Sequence, residues 1–229
     1  MEVKRNIEPK KNFLKKVQNL AKKENIVLIF DECSSGFRET FGGIYKKYNL
    51  NPDMIVFGKA LGNGYAITSV LGKRNIMENA EKTFISSTFW TERIGPTAAL
   101  KTLELMEKNK SWIQITNLGK KIKKKWLKVA SNHKVKIKTW GIDAMPGFNF
   151  ESKNNNIYKT FITQEMLKDK ILASNNIYCS IAHNEKMFDN YFIKLNKIFE
   201  IINKFENDKL NPNSFLEGPE SITGLNRLN

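Results

Sequence analysis

The stretch that decides the fold is IVFGKALGNGYAI, residues 55–67, in which Lys59 lies between a short apolar run and two closely spaced glycines. The run belongs to DMIVFG at residues 53–58, which is short and rich in β-forming residues and therefore predicts a strand. Gly62 and Gly64 lack the third glycine and the acidic partner of a dinucleotide-binding loop, and the P-loop pattern is absent too. We therefore expect a strand followed by a snug loop that holds Lys59 in apolar surroundings.

A second strand is predicted upstream, where NIVLIFDE at residues 25–32 follows an amphipathic helix predicted at residues 13–23. It places Asp31 at a strand end, and the carboxyl ends of parallel strands line the ligand crevice of an open α/β sheet. A lysine in apolar surroundings can form a Schiff base with a carbonyl, as with pyridoxal phosphate, whose ring nitrogen takes an aspartate partner. In the ordinary alternative Asp31 is a turn carboxylate and Lys59 a surface lysine, and the residues alone favour it.

The rest of the chain shows two different secondary-structure patterns, which change at about residue 115. Up to about residue 115 it reads as α/β, with further strands predicted at residues 66–72 and 83–88 and a helix at 92–107, whose Pro96 suits a first turn. After that, helices alternate with short strands, which predicts an α+β arrangement with a small antiparallel sheet. These helices are predicted at residues 111–130, 162–174 and 185–205, and the strands at 134–141, 144–151 and 176–183. The predicted domains are residues 1–115, 116–207 and an extended tail, 208–229.

Composition limits the possible partners. The chain has 229 residues, 41% hydrophobic and 27% charged, which is typical of a globular protein, and a formal net charge of +15. Its lysines are scattered, and the one dense run, residues 120–128, fits the solvated face of a helix with Leu118, Ile122, Trp126 and Leu127 on its apolar side. We therefore predict no nucleic-acid partner.

Cysteine usage and hydropathy indicate the compartment. Cys33 and Cys179 lie far apart without a CxxC pattern, which argues against a disulfide scaffold and a metal site. The first residues contain no apolar stretch long enough for a signal peptide, and no later run approaches a membrane span. The sequence predicts a cytoplasmic protein without a membrane partner.

Four segments carry a family resemblance: LIFDECSSGFR (28–38), NPDMIVFGKALGNGYAITSVLG (51–72), FISSTFWTERIGPTAALKTLELME (84–107) and LEGPESITGLNRLN (216–229). Together they resemble the class-III, pyridoxal-phosphate-dependent aminotransferases, and most closely the branch of glutamate-1-semialdehyde aminomutase. The resemblance implies a fold-type-I, α/β architecture: part of the large-domain sheet with its helices, then a small α+β C-terminal domain. It also implies transfer of an amino group, as a transaminase or an aminomutase.

The same resemblance implies roles for four residues. Lys59 would hold pyridoxal 5'-phosphate as a Schiff base and later move the substrate Cα proton, while Asp31 would keep the ring nitrogen protonated. Cys33 would pack on the ring face, where relatives usually have Val or Ile, a mild departure. Thr88 would reach the cofactor phosphate of a partner subunit, which makes a homodimer part of the site.

The resemblance covers only part of a class-III enzyme. Such enzymes are much longer, and this sequence begins where their middle begins, so we expect the loop that grips the phosphate and the aromatic residue that stacks on the ring to lie outside it. The alternative is therefore an inactive truncated remnant, or a subunit that needs a separate N-terminal piece. Within the family the same residues serve transamination, intramolecular amino transfer and racemisation, so the substrate stays open.

Overall fold

The computed structural model describes residues 8–85, Thr88 and residues 91–222. The chain divides into two compact units, Met1–Thr116 and Asn117–Asn229, and the division falls within a long helix. The predicted three-part division, with residues 208–229 set apart as a tail, stays a prediction. None of the helices in the described part of the chain has the length and hydropathy to cross a membrane.

The first unit is built around a small mixed sheet. β1 pairs with β2 in parallel, and β2 pairs with β3 in the antiparallel sense, so that Asp31 lies opposite Val56 and Val56 opposite Val70. The predicted helix and the three predicted strands around this sheet are confirmed. The elements of this unit are α1 (Phe13–Lys23), β1 (Ile29–Asp31), a 3-10 helix (Ile44–Tyr48), β2 (Met54–Phe57), a 3-10 helix (Lys59–Leu61), β3 (Ser69–Gly72), α2 (Arg74–Met77), a 3-10 helix (Glu78–Lys82) and α3 (Ile94–Asn109).

A strand predicted at residues 83–88 is wrong for the residues described there. Residues 83–85 lie outside every strand, and residues 86 and 87 lie outside the described part of the chain. Thr83 instead ends the preceding 3-10 helix, because its amide and its hydroxyl both donate to the carbonyl of Ala80, at 3.1 and 2.9 Å. The amide N–H of Thr83 is therefore not available to a strand partner.

The core of the first unit lies between α3 and one face of the sheet. Phe37, Phe57, Leu61 and Ala99 are buried together, and the rings of Phe37 and Phe57 lie 4.9 Å apart. Burying a phenylalanine contributes about 1.5–3 kcal/mol, so this small cluster is the main apolar support of the segment that contains Lys59. At the start of α3, Glu92 accepts from the amide of Ile94 at 2.7 Å and so caps the helix.

The second unit contains the antiparallel sheet and the long helices. Its elements are α4 (Ser111–Asn132, which begins in the first unit), β4 (Ile137–Trp140), β5 (Gly147–Phe150), α5 (Asn155–Lys168), α6 (Glu185–Glu206) and a 3-10 helix (Pro212–Phe215). β4 and β5 pair in the antiparallel sense, as predicted. The helix predicted at residues 162–174 is shifted: it starts at Asn155 and ends at Lys168. The helix ends there because Lys170 adopts a positive φ of 60° and the N–H of Ile171 donates to the carbonyl of Met166.

The strand predicted at residues 176–183 is wrong. That segment makes one isolated bridge, between Gly147 and Asn176, and otherwise runs beside residues 144–148 through separate hydrogen bonds. Ile177 N–H donates to the carbonyl of Pro146 at 2.9 Å. Because proline has no N–H to return, a regular ladder does not form along this line.

The core of the second unit is formed by α4, α5, α6 and β5. On α4 the side chains of Ile122 and Trp126 are almost fully buried, as the sequence predicts, but Leu127 is 46% exposed. Adjacent helix residues are about 100° apart, so when Trp126 points inward Leu127 points outward. Gly119 lies so close to the next segment that a Cβ there would be 1.5 Å from the carbonyl oxygen of Asp143.

The C-terminal segment lies against α5. The side-chain amide of Gln164 donates to the carbonyl of Phe215 at 2.9 Å and accepts from the amide of Glu217 at 2.8 Å. The ring of Phe215 also packs against Phe205 of α6 at 5.1 Å. The segment up to residue 222 is thus tied to the second unit by its own polar and aromatic contacts.

Candidate active site

Two charged residues lie at the carboxyl edge of the parallel strand pair. Asp31 is the last residue of β1, and Lys59 follows β2 after the single residue Gly58. Because β1 and β2 run in parallel and Asp31 lies opposite Val56, both residues lie at the same edge of the sheet. The structure therefore brings together the two strand ends that the sequence predicts.

The turn at Lys59 has an unusual backbone. Lys59 has a φ of 38°, in the left-handed region that residues with a Cβ rarely adopt. Two hydrogen bonds hold the turn: Leu61 N–H donates to Gly58 at 2.9 Å, and Asn63 N–H donates to Lys59 at 3.1 Å. Strained backbone of this kind collects at functional sites, where the surrounding structure over-determines it.

The apolar surroundings predicted for Lys59 are not found. Lys59 is exposed, whereas the next residues are half-buried Ala60 and buried Leu61. The lysine side chain instead leaves the core and reaches toward the end of β1, where its Nζ donates a hydrogen bond to the hydroxyl of Ser34. A flexible stem lets the ammonium keep its contact with water and a polar partner, which costs less than burial in apolar surroundings.

Asp31 is held in its ionised form by its own turn. Its Oδ1 accepts the amide N–H of Cys33 at 3.0 Å. This main-chain bond is the largest cause that lowers the pKa of Asp31; the Cys33 thiol and the charge of Lys59 lower it further, against an opposing effect of partial burial. An exposed carboxylate with these neighbours is a fixed negative charge at neutral pH.

Cys33 lies between the two strand ends. It is half-buried, and a Cβ placed on Gly58 would be 3.3 Å from its Sγ, so the thiol lies against the backbone that precedes Lys59. Thr88, the fourth predicted residue, is exposed. Residues 86, 87, 89 and 90 beside it lie outside the described part of the chain. The roles predicted for Cys33 and Thr88 stay predictions.

Sequence reasoning missed two polar residues next to this edge. Glu32 and Ser34 are each only 2% exposed. The carboxylate of Glu32 accepts from the amides of Ile44 at 2.9 Å and Tyr45 at 3.0 Å and from the hydroxyl of Ser35 at 2.8 Å. The position of Glu32 could have revealed it. Glu32 follows Asp31 at the end of a strand, and consecutive side chains of a strand point to opposite faces, so Glu32 is expected to point away from the face of Asp31.

The comparisons with known proteins agree with this geometry. Residues 6–207 match the family described as "Aminotransferase class-III". The chain belongs to the class-III aminotransferases. Its curated relatives include a 3-aminobutyryl-CoA aminotransferase of Cloacimonas acidaminovorans, 34% identical over 177 residues, and a glutamate-1-semialdehyde 2,1-aminomutase of Saccharolobus islandicus, 29% identical over 207 residues. The matches cover 77% and 83% of this chain but only 42% and 48% of those relatives, so the chain spans less than half the length of each.

Solved structures share the fold. The internal aldimine form of the FumI protein of Sphingopyxis sp. MTA144 has a TM-score of 0.79 at 18% identity, over 89% of this chain and 50% of that one. An ornithine aminotransferase of Plasmodium yoelii has a TM-score of 0.72 at 20% identity, over 85% and 55%. The predicted fold class, part of a fold-type-I, pyridoxal-phosphate-dependent transferase, is therefore confirmed.

The residues at the sheet edge fit the cofactor of this family. Pyridoxal phosphate requires a primary amine for its aldehyde carbon and an anionic group near its ring nitrogen. Lys59 and ionised Asp31 are such a pair, at adjacent strand ends. Each is exposed and therefore accessible to a ligand.

Proposed function

We propose that this chain carries the lysine and aspartate of a pyridoxal-phosphate-dependent aminotransferase or aminomutase site. The observation that carries the proposal is the placement of Asp31 and Lys59 at one edge of a parallel strand pair, in a chain of the class-III family. When bound, the cofactor supplies an electron sink for the carbanion that forms at the substrate Cα. The substrates are small amino donors and carbonyl acceptors.

Each residue has a separate task. Lys59 would hold the cofactor through its Nζ, and the same nitrogen would accept and return the Cα proton of the substrate. Asp31, whose pKa is lowered by its bond from Cys33, keeps a proton on the ring nitrogen by its negative charge. Cys33 would pack against the ring, and the Thr88 hydroxyl would reach the phosphate of the cofactor bound in the partner subunit of a homodimer. The compartment that we propose for this homodimer is the cytoplasm.

A second candidate is a remnant without activity, or a subunit completed by a separate N-terminal piece. One observation favours keeping it: Lys59 is exposed rather than enclosed. An exposed amine lacks the preorganised surroundings, closed to water, on which lysine catalysis depends. Both candidates share the same ancestry and differ in whether Lys59 captures the cofactor.

Borohydride trapping tests the proposal. The purified chain is mixed with pyridoxal phosphate, reduced with sodium borohydride and digested, and the labelled lysines are mapped by mass spectrometry. We expect Lys59 to be labelled at the lowest cofactor concentrations, with a visible absorption band that Lys59→Ala abolishes. Lys73→Ala is the matched control, because Lys73 lies at the end of β3 and is paired with Asp53 at 2.8 Å.

Two results decide between the candidates. Preferential labelling of Lys59, unaffected by Lys73→Ala, supports the amino-transfer proposal. Labelling spread evenly over the surface lysines, with Lys59 no faster than the rest, supports the remnant or incomplete subunit. Repeating the assay with the N-terminal half of a related enzyme added in trans then separates these two, since only the incomplete subunit gains Lys59 labelling.

A further inference from the structure

A buried hydroxyl contacts the exposed amine of Lys59. The Nζ of Lys59 donates to the Oγ of Ser34, 25 residues earlier in the sequence, and Ser34 is only 2% exposed. The bond therefore joins the turn after β2 to the turn after β1. Of the two ends of this bond, the serine is the fixed one.

The turn that carries Ser34 is itself well held. The carbonyl of Ser34 accepts from Nε of Arg38 at 3.4 Å, and the amide of Gly36 donates to the carbonyl of Glu32 at 2.8 Å. The hydroxyl of the next residue, Ser35, is used by the Glu32 carboxylate. Ser34 thus presents its hydroxyl from a short segment whose backbone and neighbours are fixed by other bonds.

Lys59 requires such a fixed point. A lysine side chain carries about 2 kcal/mol of rotamer entropy, and an exposed one samples many directions. A hydrogen bond between a charged donor and a neutral acceptor is stronger than one between two neutral groups, and it favours one of these directions. The Ser34 hydroxyl selects the direction toward the end of β1, which is the end that carries Asp31.

We propose that Ser34 is a positioning residue for the Lys59 amine. This inference rests on the proposed function and deepens it. The Ser34 hydroxyl accepts an N–H of Lys59 and keeps the nitrogen at the Asp31 end of the sheet edge. It does so before the cofactor binds and again after a substrate amine has released the lysine. The amine therefore stays near the atoms whose proton it moves instead of swinging into water.

The first test needs no cofactor. The full chain is treated with limiting N-hydroxysuccinimide acetate, and the acetylation rate of Lys59 is measured by mass spectrometry relative to Lys120, an exposed lysine of α4. Ser34→Ala removes the bond, so we expect Lys59 to react about 5- to 10-fold faster, the change that corresponds to a loss of ~1–1.4 kcal/mol. Ser214→Ala, which removes an exposed hydroxyl that donates to the Asn211 carbonyl in the second unit, is expected to leave the rate unchanged.

The second test uses pyridoxal phosphate on the same variants. Ser34→Ala is expected to slow borohydride trapping at Lys59 while it speeds acetylation, and Ser34→Thr, which keeps a hydroxyl, is expected to restore both rates toward wild type. A general loosening of the fold would speed both reactions, and circular dichroism melting curves check that each variant is folded. The opposite signs of the two effects identify positioning.

The outcomes separate this inference from the function on which it rests. If acetylation of Lys59 is the same in Ser34→Ala and wild type, the positioning role is overturned whatever the cofactor does. If acetylation changes as expected but the wild type shows no preferential trapping at Lys59, the proposed function fails, and with it the role of Ser34 toward a cofactor. Opposite changes in the two rates support both.

Discussion

At the scale of single residues, Glu32 is the fixed point of the candidate site. Its carboxylate is buried and satisfied by two amides and one hydroxyl from the segment that follows. Asp31, at the end of β1, and Ser34, which accepts a hydrogen bond from Lys59, lie one and two residues away from it in the chain. A buried carboxylate with several donors is costly to disturb, because its removal leaves those donors unpaired.

Removal of the Glu32 carboxylate is expected to destabilise the first unit. We expect Glu32→Ala to lower the free energy of unfolding by roughly 2–4 kcal/mol, since it leaves buried amides without acceptors. Urea unfolding followed by the fluorescence of Trp112, whose ring lies 5.2 Å from Phe41, measures this effect. Glu24→Ala is the control: Glu24 pairs with Lys23 on the surface, and its loss is expected to cost less than about 0.5 kcal/mol. Equal effects of the two changes would contradict the role given to Glu32.

The sequence predicted the charged pair but not its partners. Asp31 and Lys59 were found because strand ends can be located from apolar runs, and parallel pairing then brings those ends to one edge. The exposure of Lys59 and the burial of Ser34 were not predictable in this way. Whether a polar side chain is buried depends on which segment folds over it, and that information is not contained in the local pattern.

At the scale of elements, α4 depends on a residue without a side chain. Gly119 lies in the middle of the helix, where glycine normally costs about 0.5–1 kcal/mol relative to alanine. Here the backbone of Asp143 occupies the space in which a Cβ would lie. The close contact, rather than helix propensity, explains the glycine.

Gly119→Ala is therefore expected to destabilise the second unit by roughly 1–3 kcal/mol, despite the better helix propensity of alanine. The fluorescence of buried Trp126 in urea measures the change. Lys121→Ala, an exposed position two residues later in the same helix, serves as the matched control and is expected to be neutral or slightly stabilising. A stabilising effect of Gly119→Ala would show that the contact with Asp143 yields easily.

α5 and α6 are joined by a pair that titrates at alkaline pH. The hydroxyl of Tyr158 donates to Glu206 at 2.6 Å, and burial, followed by this bond, raises the pKa of Tyr158 to about 12 from 10.0. The folded state therefore holds the proton more tightly than the unfolded chain. The resulting stability is complete below pH 10 and is lost as the pH rises from 10 toward 12.

The expected loss over that range is up to ~3 kcal/mol, since one pKa unit corresponds to about 1.4 kcal/mol. Urea midpoints between pH 8 and pH 11.5 measure it. Tyr158→Phe lowers the stability at neutral pH because the bond to Glu206 is lost, but it flattens the alkaline decline relative to wild type. The same slope in both proteins would contradict the assignment, because lysines and other tyrosines contribute equally to the two.

The elements that the sequence predicted correctly are those with strong periodicity. α1 and α6 follow clear amphipathic patterns, and their predicted ranges agree with the structure to within a residue or two. The two wrong strands have β-forming composition. Of the first, the described residues 83–85 follow a turn closed on Ala80, and the second, residues 176–183, makes a single bridge. Strand formation requires a partner, so composition alone predicts it poorly.

At the scale of the whole molecule, one face of the first sheet is open. Side chains alternate along a strand, so Ile29, Asp31 and Val70 belong to the face opposite the one that packs on α3. Ile29 and Val70 are 53% and 46% exposed. Exposed apolar sheet surface promotes association, and the open face lies next to the candidate site.

We expect the isolated chain to self-associate through this face. Sedimentation velocity should show species larger than the 26.4 kDa monomer, and the double substitution Ile29→Thr and Val70→Thr should shift the distribution toward the monomer. Leu172→Thr is the matched control: Leu172 is 89% exposed and belongs to the second unit, and its change is expected to have no effect. A monomeric wild type with a sharp unfolding transition would contradict the prediction.

The parallel pairing of β1 with β2 also constrains which insertions and deletions the gene can accept. The ladder is short, Ile29–Asp31 against Met54–Val56, and one extra residue within either strand would turn the following side chains to the opposite face. The connection between them, residues 32–53, lies outside the ladder, and lengthening a loop costs little because the entropy of closure grows slowly with length. Length variation among relatives is therefore expected to collect late in this connection, beyond the Glu32 contacts at Ile44 and Tyr45, while the strands keep their length.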